Sequence, residues 1–251
     1  MADDKKKENV DQEAEDVSRR KFIKNTGIAT GGLVGGAILG GLVGNPFRSD
    51  ESGSNNKDKP KSEDVTEALQ FFKRKEDFDA LAAATEVIFP EDDNGPGAIG
   101  LGAPYYIDKQ LASGYGKNTE EYRKKPFQSG ESPLNRGDVM IAGIRKLNQV
   151  SETDHDEVFK DLEEDIQIEI LESFEAGEVD LKYTSSATFF ALLRQLTLEG
   201  CFGDPMYGGN KNMEGWKMKQ FPGAQMSNLD VLESDEFVEK EPLSLSDHIS
   251  L

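Results

Sequence analysis

One glycine-rich run in this 251-residue chain has the spacing of a nucleotide-binding loop. Residues 95–100 read GPGAIG and match the pattern G-x-G-x-x-G. That pattern binds a dinucleotide where a strand leads into the first glycine and a helix begins behind the last. Here the polar run FPEDDN precedes the motif, and Pro96 follows its first glycine. We therefore predict a Gly/Pro turn rather than a cofactor loop.

Acidic residues crowd the stretch ETDHDEVFKDLEED, and carboxylates at this density can hold a metal ion or exchange protons. Four carboxylates recur at helical spacing beside an apolar stripe, which is typical of a solvated helix face. The EF-hand pattern is absent, because the mid-loop glycine is missing. We predict a solvated face, and for His155 a surface or capping position at a helix start. The four carboxylates are Asp161, Asp165, Glu169 and Glu172.

Nucleophilic side chains are few: the chain has one cysteine, Cys201, and two histidines, His155 and His248. A single cysteine excludes an intrachain disulfide framework, an iron–sulfur cluster and a covalent c-type haem. Neither a G-x-S-x-G elbow nor a G-x-x-x-x-G-K-[ST] phosphate loop occurs. The net charge of −19 has the wrong sign for a nucleic-acid partner. We predict no catalytic, cofactor-binding or metal-binding residue in this chain.

Apolar residues recur at helical spacing in five segments, and no run alternates with period two for long. The pattern predicts an all-α fold: a single irregular helical domain with long Gly/Pro-rich loops, after an N-terminal signal or anchor helix. The predicted helices cover 78–89, stopped by Pro90; 103–113, ending at Gly114; 140–147; one long helix over 158–174, closing at Gly177; and 189–197, closing at Gly200.

The N-terminal region carries a twin-arginine motif, SRRKFIK. The 23 uncharged residues behind it, 25–47, could span a membrane, but eight are glycine, which lowers helix propensity and hydrophobicity. A weakly hydrophobic segment behind an arginine pair is typical of an export signal for folded proteins. We expect export to the outer face of the cytoplasmic membrane, the periplasm or the cell envelope, with this segment either cleaved or kept as an anchor. The motif residues are Ser18, Arg19, Arg20, Phe22 and Lys24.

Composition divides the chain into four parts. Residues 1–47 are the signal or anchor, and residues 48–62 have the polar composition of a linker. Residues 63–225 form the helical domain. Residues 226–251 are an acidic tail, with seven Asp/Glu and one Lys. The default expectation for this tail is a loosely held end, although its Leu and Phe residues could form a docking strip.

The segment Glu199–Gly223, EGCFGDPMYGGNKNMEGWKMKQFPG, combines six glycines and two prolines with the single Trp of the chain. Aromatic and Met side chains on a shaped loop suit a protein interface. The same composition also suits a loop that folds back over its own core, and both descriptions can hold together. The candidate interface residues are Phe202, Asp204, Pro205, Tyr207, Gly208, Gly209, Asn210, Trp216 and Pro222.

Two blocks, this segment and Ala84–Leu111, closely resemble the gluconate 2-dehydrogenase subunit 3 family. The likeness covers roughly Phe71 to Gly223. Its most specific positions in the second block are Gly200, Phe202, Asp204, Pro205, Tyr207, Gly208, Gly209, Asn210, Gly215, Trp216, Pro222 and Gly223. The first block contributes Ile88, Pro90, Asp93, Pro96, Gly97, Ala98, Ile107, Asp108 and Leu111.

The resemblance implies a small subunit that carries the export signal and binds a large flavoprotein of the glucose–methanol–choline type. In such a complex the large subunit holds FAD and oxidises sugars, sugar acids or other alcohols, and a cytochrome subunit can complete the assembly. The expected partners are thus a large FAD-binding dehydrogenase subunit, a cytochrome subunit, the twin-arginine translocase and the membrane. No cofactor is expected in this chain.

Two other functions stay open from the sequence: an exported envelope binding module without a dehydrogenase partner, and a self-sufficient exported enzyme. Cys201 is also an odd thiol for an exported protein. It is either a buried free thiol beside Phe202 or one half of an intersubunit disulfide.

Overall fold

A computed structural model describes residues 67–121, 132–233 and 238–249. The twin-arginine motif, the segment 25–47 and the linker 48–62 lie outside these residues. Within them the chain is helical, and extended backbone pairing is limited to two isolated bridges. The predicted all-α class is therefore confirmed. No helix among the described residues is long and apolar enough to cross a membrane.

Seven α-helices occur in the described residues: α1 Lys75–Ile88, α2 Ala103–Ala112, α3 Arg136–His155, α4 Glu164–Glu175, α5 Ser186–Phe202, α6 Glu214–Met218 and α7 Leu245–Ile249. Short 3-10 helices cover Phe159–Asp161, Pro205–Tyr207, Lys211–Met213 and Leu229–Val231. The first five α-helices form the body of the domain. The remaining short elements belong to the glycine-rich segment and the tail.

Local signals in the sequence set the ends of the longer helices. The Asn135 side chain accepts from Asp138 N at the start of α3, and the Ser185 side chain accepts from Thr188 N at the start of α5. Both are N-caps, which satisfy backbone donors that a helix start leaves unpaired. Helix α1 ends one residue before Phe89, because Pro90 disfavours helical backbone at the residue that precedes it.

The main core lies among the first five α-helices. Helix α5 is at its centre and packs against α2, α3 and α4. Its side chains are aliphatic and aromatic and are removed from water, so burial of apolar surface stabilises this arrangement. The largest fully buried side chains of this core include Phe72, Phe159, Phe174, Phe189, Leu81, Ile88, Ile107, Leu111, Met140, Ile144 and Leu147.

Two predicted helix boundaries are wrong. The predicted long helix over 158–174 is broken, because Val158 and Leu162 are extended on either side of a single 3-10 turn. Apolar side chains continue through the break, so periodicity alone could not show it. Helix α5 also does not close at Gly200 but runs on to Phe202. In addition, His155 is the last residue of α3 rather than the start of a helix, although it is exposed as predicted.

One buried carboxylate joins the N-terminal edge of the domain to α2. The Asp108 side chain is 1% exposed and accepts three backbone N–H groups: Gln70 at 2.6 Å, Phe71 at 3.0 Å and Phe72 at 2.9 Å. These bonds place the Phe72 ring in the core, where it packs edge-on against Phe78. Asp108 is thus a structural residue of the folded domain.

Replacing Asp108 by Ala should leave these three donors without their acceptor. We expect a loss of about 2–5 kcal/mol in the free energy of unfolding, because buried unpaired donors keep their full desolvation cost. Asp108→Asn retains one carbonyl acceptor and should lose less. Urea denaturation measures the series, with Glu169→Ala on the exposed face of α4 as the control. Equal stability of Asp108→Ala and the control would contradict this role.

Candidate functional site

The C-terminal end of α5 organises the glycine-rich segment. A helix end leaves its last carbonyl groups without partners inside the helix. Here Gly203 N donates to Glu199 O at 2.7 Å, and Asn210 N donates to Gly200 O at 2.7 Å. The indole Nε1 of Trp216 donates to Phe202 O, also at 2.7 Å. The segment therefore folds back over the helix that precedes it.

Asn210 is the residue that fixes this fold-back. It is fully buried and adopts left-handed backbone geometry, with φ 46°, which Asn tolerates better than most residues. Its side-chain amide donates to Gly203 O at 2.9 Å, and its side-chain oxygen accepts from Gly215 N at 2.8 Å. The backbone N–H of Asn210 also donates to Gly200 O. Asn210 therefore joins the residues before it, at Gly203, and after it, at Gly215, to the end of α5.

Two glycines permit the close contact between loop and helix. A Cβ at Gly209 would overlap the carbonyl oxygen of Gly200, and a Cβ at Gly215 would overlap that of Cys201. Any side chain at either position would push the loop off the end of α5. The glycine content of the segment thus follows in part from internal packing.

A small second core lies beneath the loop. Its fully buried members are Ala98, Leu101, Ala103 and Cys201, with Phe202 packed against them. The loop is bonded directly to this cluster through Lys211 N, which donates to Leu101 O at 3.0 Å.

The GPGAIG run is a turn, as predicted, and no strand precedes it. The carboxylate of Glu86 on α1 holds it, accepting from Glu91 N at 3.0 Å and from Ile99 N at 2.8 Å. The run is therefore held by a carboxylate of its own chain, which is the wrong charge for a phosphate cradle.

Cys201 is a free, fully buried thiol in this structure. Burial raises its pKa well above the ordinary value, and the negative charge of Glu86 raises it further, against a smaller lowering by Lys219. A protonated, inaccessible thiol is unreactive toward disulfides. The folded domain therefore favours the buried free thiol over an intersubunit disulfide.

The carboxylate of Asp204 binds the C-terminal tail. It accepts from Ser244 Oγ at 2.6 Å, from Leu245 N at 2.8 Å and from Met206 N at 3.0 Å. Burial alone would raise the Asp204 pKa, but these hydrogen bonds outweigh it and hold the pKa below its ordinary value. One side chain thus connects the glycine-rich segment to a residue 40 positions further along the chain.

Further contacts hold the same part of the tail. Gly223 and Leu243 form a parallel bridge, in which Ala224 N donates to Leu243 O at 2.8 Å. His248 Nε2 donates to Ala224 O at 2.6 Å. The expectation of a loosely held end is wrong for residues 242–249. The sequence did carry a signal: Ser244–Asp247 has the S-x-x-D spacing of a capping box, and Asp247 accepts from Ser244 N.

The nine candidate interface residues fall into three groups by exposure. Gly209, Asn210 and Trp216 are buried within this chain, and Trp216 is only 5% exposed. Tyr207 is exposed. Met206 and Phe221 are exposed as well, although they are not among the nine candidates. The half-buried remainder are Phe202, Asp204, Pro205, Gly208 and Pro222. The role of the nine in an interface stays a prediction.

The described residues contain no cluster of three or more potential metal ligands. The four carboxylates predicted to form a solvated face are all exposed. The two histidines are engaged far apart: His155 ends α3, and His248 binds the backbone near Gly223.

These features define an all-α domain built around a glycine-rich loop that is bonded to the end of its central helix. The family model for gluconate 2-dehydrogenase subunit 3 matches residues 75–223, more than half of the chain, and the chain belongs to this family. The family prediction is confirmed, and the family's name makes its members subunits of an oxidoreductase complex. No curated protein and no solved structure matches the chain.

The hydrogen bonds of Asn210 can be tested without disturbing its backbone. Asn210→Gly keeps the left-handed geometry available and removes only the side chain, so we expect a loss of about 2–4 kcal/mol from its two buried bonds. Asn212, with φ 57° and an exposed side chain, is the matched control. Asn212→Gly should change the free energy of unfolding by less than about 0.5 kcal/mol. Equal effects of the two substitutions would contradict this account.

The contact between Asp204 and the tail should depend on pH. Because the folded-state pKa is lowered, the carboxylate stabilises the docked tail above the ordinary value of 3.8, and this stabilisation is lost as the pH falls through the folded pKa. Amide resonances of Met206 and Leu245 should shift together in an acid NMR titration, with a midpoint below 3.8. In Asp204→Asn this shared titration should disappear. Its persistence would assign the transition to another group.

Proposed function

We propose that this chain is a non-catalytic subunit that exports and stabilises an FAD-dependent dehydrogenase subunit of the glucose–methanol–choline type. The complex would oxidise gluconate or a related sugar or alcohol. The observation that supports this proposal most is the family match over residues 75–223, which covers the helical body and the whole glycine-rich loop.

The use of the buried and half-buried carboxylates supports a non-catalytic role. Asp108 and Glu86 accept backbone N–H groups, and Asp77 is buried against the guanidinium of Arg145 at 3.1 Å. A general acid or base must be free to exchange a proton with a substrate. These carboxylates instead bind donor groups of their own chain. In the proposal the redox chemistry belongs to the FAD of the large subunit.

The proposed export role rests on the motif around Arg19 and Arg20. A twin-arginine signal directs folded proteins to their translocase. A flavoprotein that binds FAD before leaving the cytoplasm needs such a route, and one signal suffices for a tightly held pair of subunits. The proposed location is the outer face of the cytoplasmic membrane, with residues 25–47 as signal or anchor.

The direct test is to isolate the tagged full-length chain from solubilised membranes. We expect it to bring down a larger subunit with flavin absorbance and with sugar- or gluconate-dependent dye reduction. Recovery of the chain alone, as a stable monomer, would count against the proposal. Dye reduction or bound flavin in the isolated chain itself would instead make it an enzyme.

Substitution of Arg19 and Arg20 by Lys should retain both this chain and the flavoprotein in the cytoplasm, because a lysine pair is a poor substitute for the twin-arginine motif. Cell fractionation followed by dye-reduction assays measures the distribution of both subunits. The charge-matched control is Lys6→Arg with Lys7→Arg, outside the motif, which should leave export intact. Export of the flavoprotein when this chain is retained would refute the escort role.

A further inference from the structure

Exposed apolar side chains are concentrated near the C-terminal part of the described chain. Of the eleven large hydrophobic residues that are exposed among the described residues, nine lie between Met206 and Leu245. Scattered single apolar residues on a surface need no explanation, whereas a concentration of them marks an interaction site.

The Asp204 carboxylate brings the backbones of two of these residues together. One oxygen accepts from Met206 N and the other from Leu245 N, so the two backbones are separated by the width of a carboxylate. Tyr207 follows Met206 in the same 3-10 turn. This turn and the start of α7 therefore form one continuous surface.

A second connection brings in Phe221 and Leu243. The bridge between Gly223 and Leu243 lays the tail along the end of the glycine-rich segment. Gly223 has φ 71°, and a Cβ there would overlap the backbone of Leu243, so the close approach requires glycine. Phe221 precedes this bridge by two residues, and its ring packs edge-on against Trp216 at 5.4 Å.

We propose that residues 242–249 form part of the surface that binds the large flavoprotein subunit. This inference rests on the function proposed above and assigns the tail to its interface. The docking face consists of Met206, Tyr207, Phe221, Leu243 and Leu245, each between 36% and 49% exposed. An apolar centre with a polar rim is the composition of a protein interface.

The charges around the docking face favour a protein over a lipid surface. A helix or loop that binds anionic lipid carries a surplus of Lys and Arg at its rim. Among the described residues, four exposed acids on the tail outnumber three exposed lysines on the loop. The acids are Glu233, Glu239, Glu241 and Asp247, and the lysines are Lys211, Lys217 and Lys219. A second copy of this chain is disfavoured as well, because each copy carries a net charge of −19.

The boundary of the family match gives the tail a specific role. The match ends at residue 223, so residues 242–249 lie outside it. Asp204 and Gly223 lie inside it, and in this chain both are used to hold the tail. Residues inside the family match thus position a segment that lies outside it. Such a segment is suited to adapting the surface to one particular large subunit.

The proposal is tested with three versions of the full signal-bearing protein. The first ends at Gln225, the second carries Leu243→Ser with Leu245→Ser, and the third carries Tyr183→Asn. Tyr183 is exposed but lies before α5, at the opposite end of that helix from the docking face, and Asn suits its φ of 69°. Each tagged version is titrated against the flavin-containing subunit recovered with the full-length chain, and binding is followed by flavin absorbance and dye reduction.

We expect the truncated and the double-Ser versions to bind the flavoprotein at least about tenfold more weakly than the full-length chain, as loss of central interface residues does. Tyr183→Asn should bind as the full-length chain does. The double substitution leaves the hydrogen bonds to Asp204 in place, so its melting temperature should stay close to that of the full-length chain, which separates loss of binding from loss of folding.

Any of the following results would overturn the assignment. Unchanged binding by both tail versions would mean that the tail is outside the interface, and tighter binding by the truncated version would make the tail a cover. Loss of binding to anionic phospholipid vesicles, or of self-association, with flavoprotein binding unaltered would assign the docking face to a lipid or to a second copy. If the full-length chain itself recovers no flavoprotein, the proposed function fails and this assignment fails with it.

Discussion

The carbonyl groups at the end of α5 must find hydrogen-bond donors, and the rest of the site depends on how they do so. Three donors come from the chain that follows: Gly203 N, Asn210 N and the Trp216 indole. A donor can reach a helix end only if the loop crosses it closely, and a Cβ at Gly209 or Gly215 would prevent that crossing. The fold-back of the loop and its glycines at 209 and 215 therefore have one cause, the satisfaction of a helix terminus.

The same helix end also joins the loop to the body of the domain. At Gly200 the absence of a side chain lets α5 approach α2, because a Cβ there would lie 2.9 Å from Ala103 Cα. Cys201, the next residue, completes the small core beneath the loop. Buried residues such as Asn210 and Trp216 are thus occupied internally. The exposed side chains of the loop are the ones that can contact a partner. The loop therefore covers its own core and also presents a surface to a partner.

The sequence predicted the features that depend on neighbouring residues. It did not predict those that depend on contacts between residues far apart in the chain. Periodicity and Pro90 located α1, since both act within the helix itself. The predicted end of α5 at Gly200 is wrong, because a glycine at the end of an apolar period normally marks a helix end. Here the glycine is needed for close contact with Ala103, which is 97 positions away in the chain. The attachment of the tail to Asp204 spans 40 residues, and the capping spacing of Ser244–Asp247 indicates only the start of a helix there.

The distribution of polar groups bears on the proposed division of labour between subunits. Asp108 accepts from three backbone N–H groups, Asp204 from two backbone N–H groups and one hydroxyl, and Asn210 serves both arms of the loop. Asp108 and Asp204 hold segments that lie far apart in sequence, and Asn210 holds the loop on the end of α5, so the docking face exists only after the domain has folded. A surface of that kind suits the twin-arginine route, which carries folded cargo. In the proposed complex the partner would join a finished surface in the cytoplasm and leave with it.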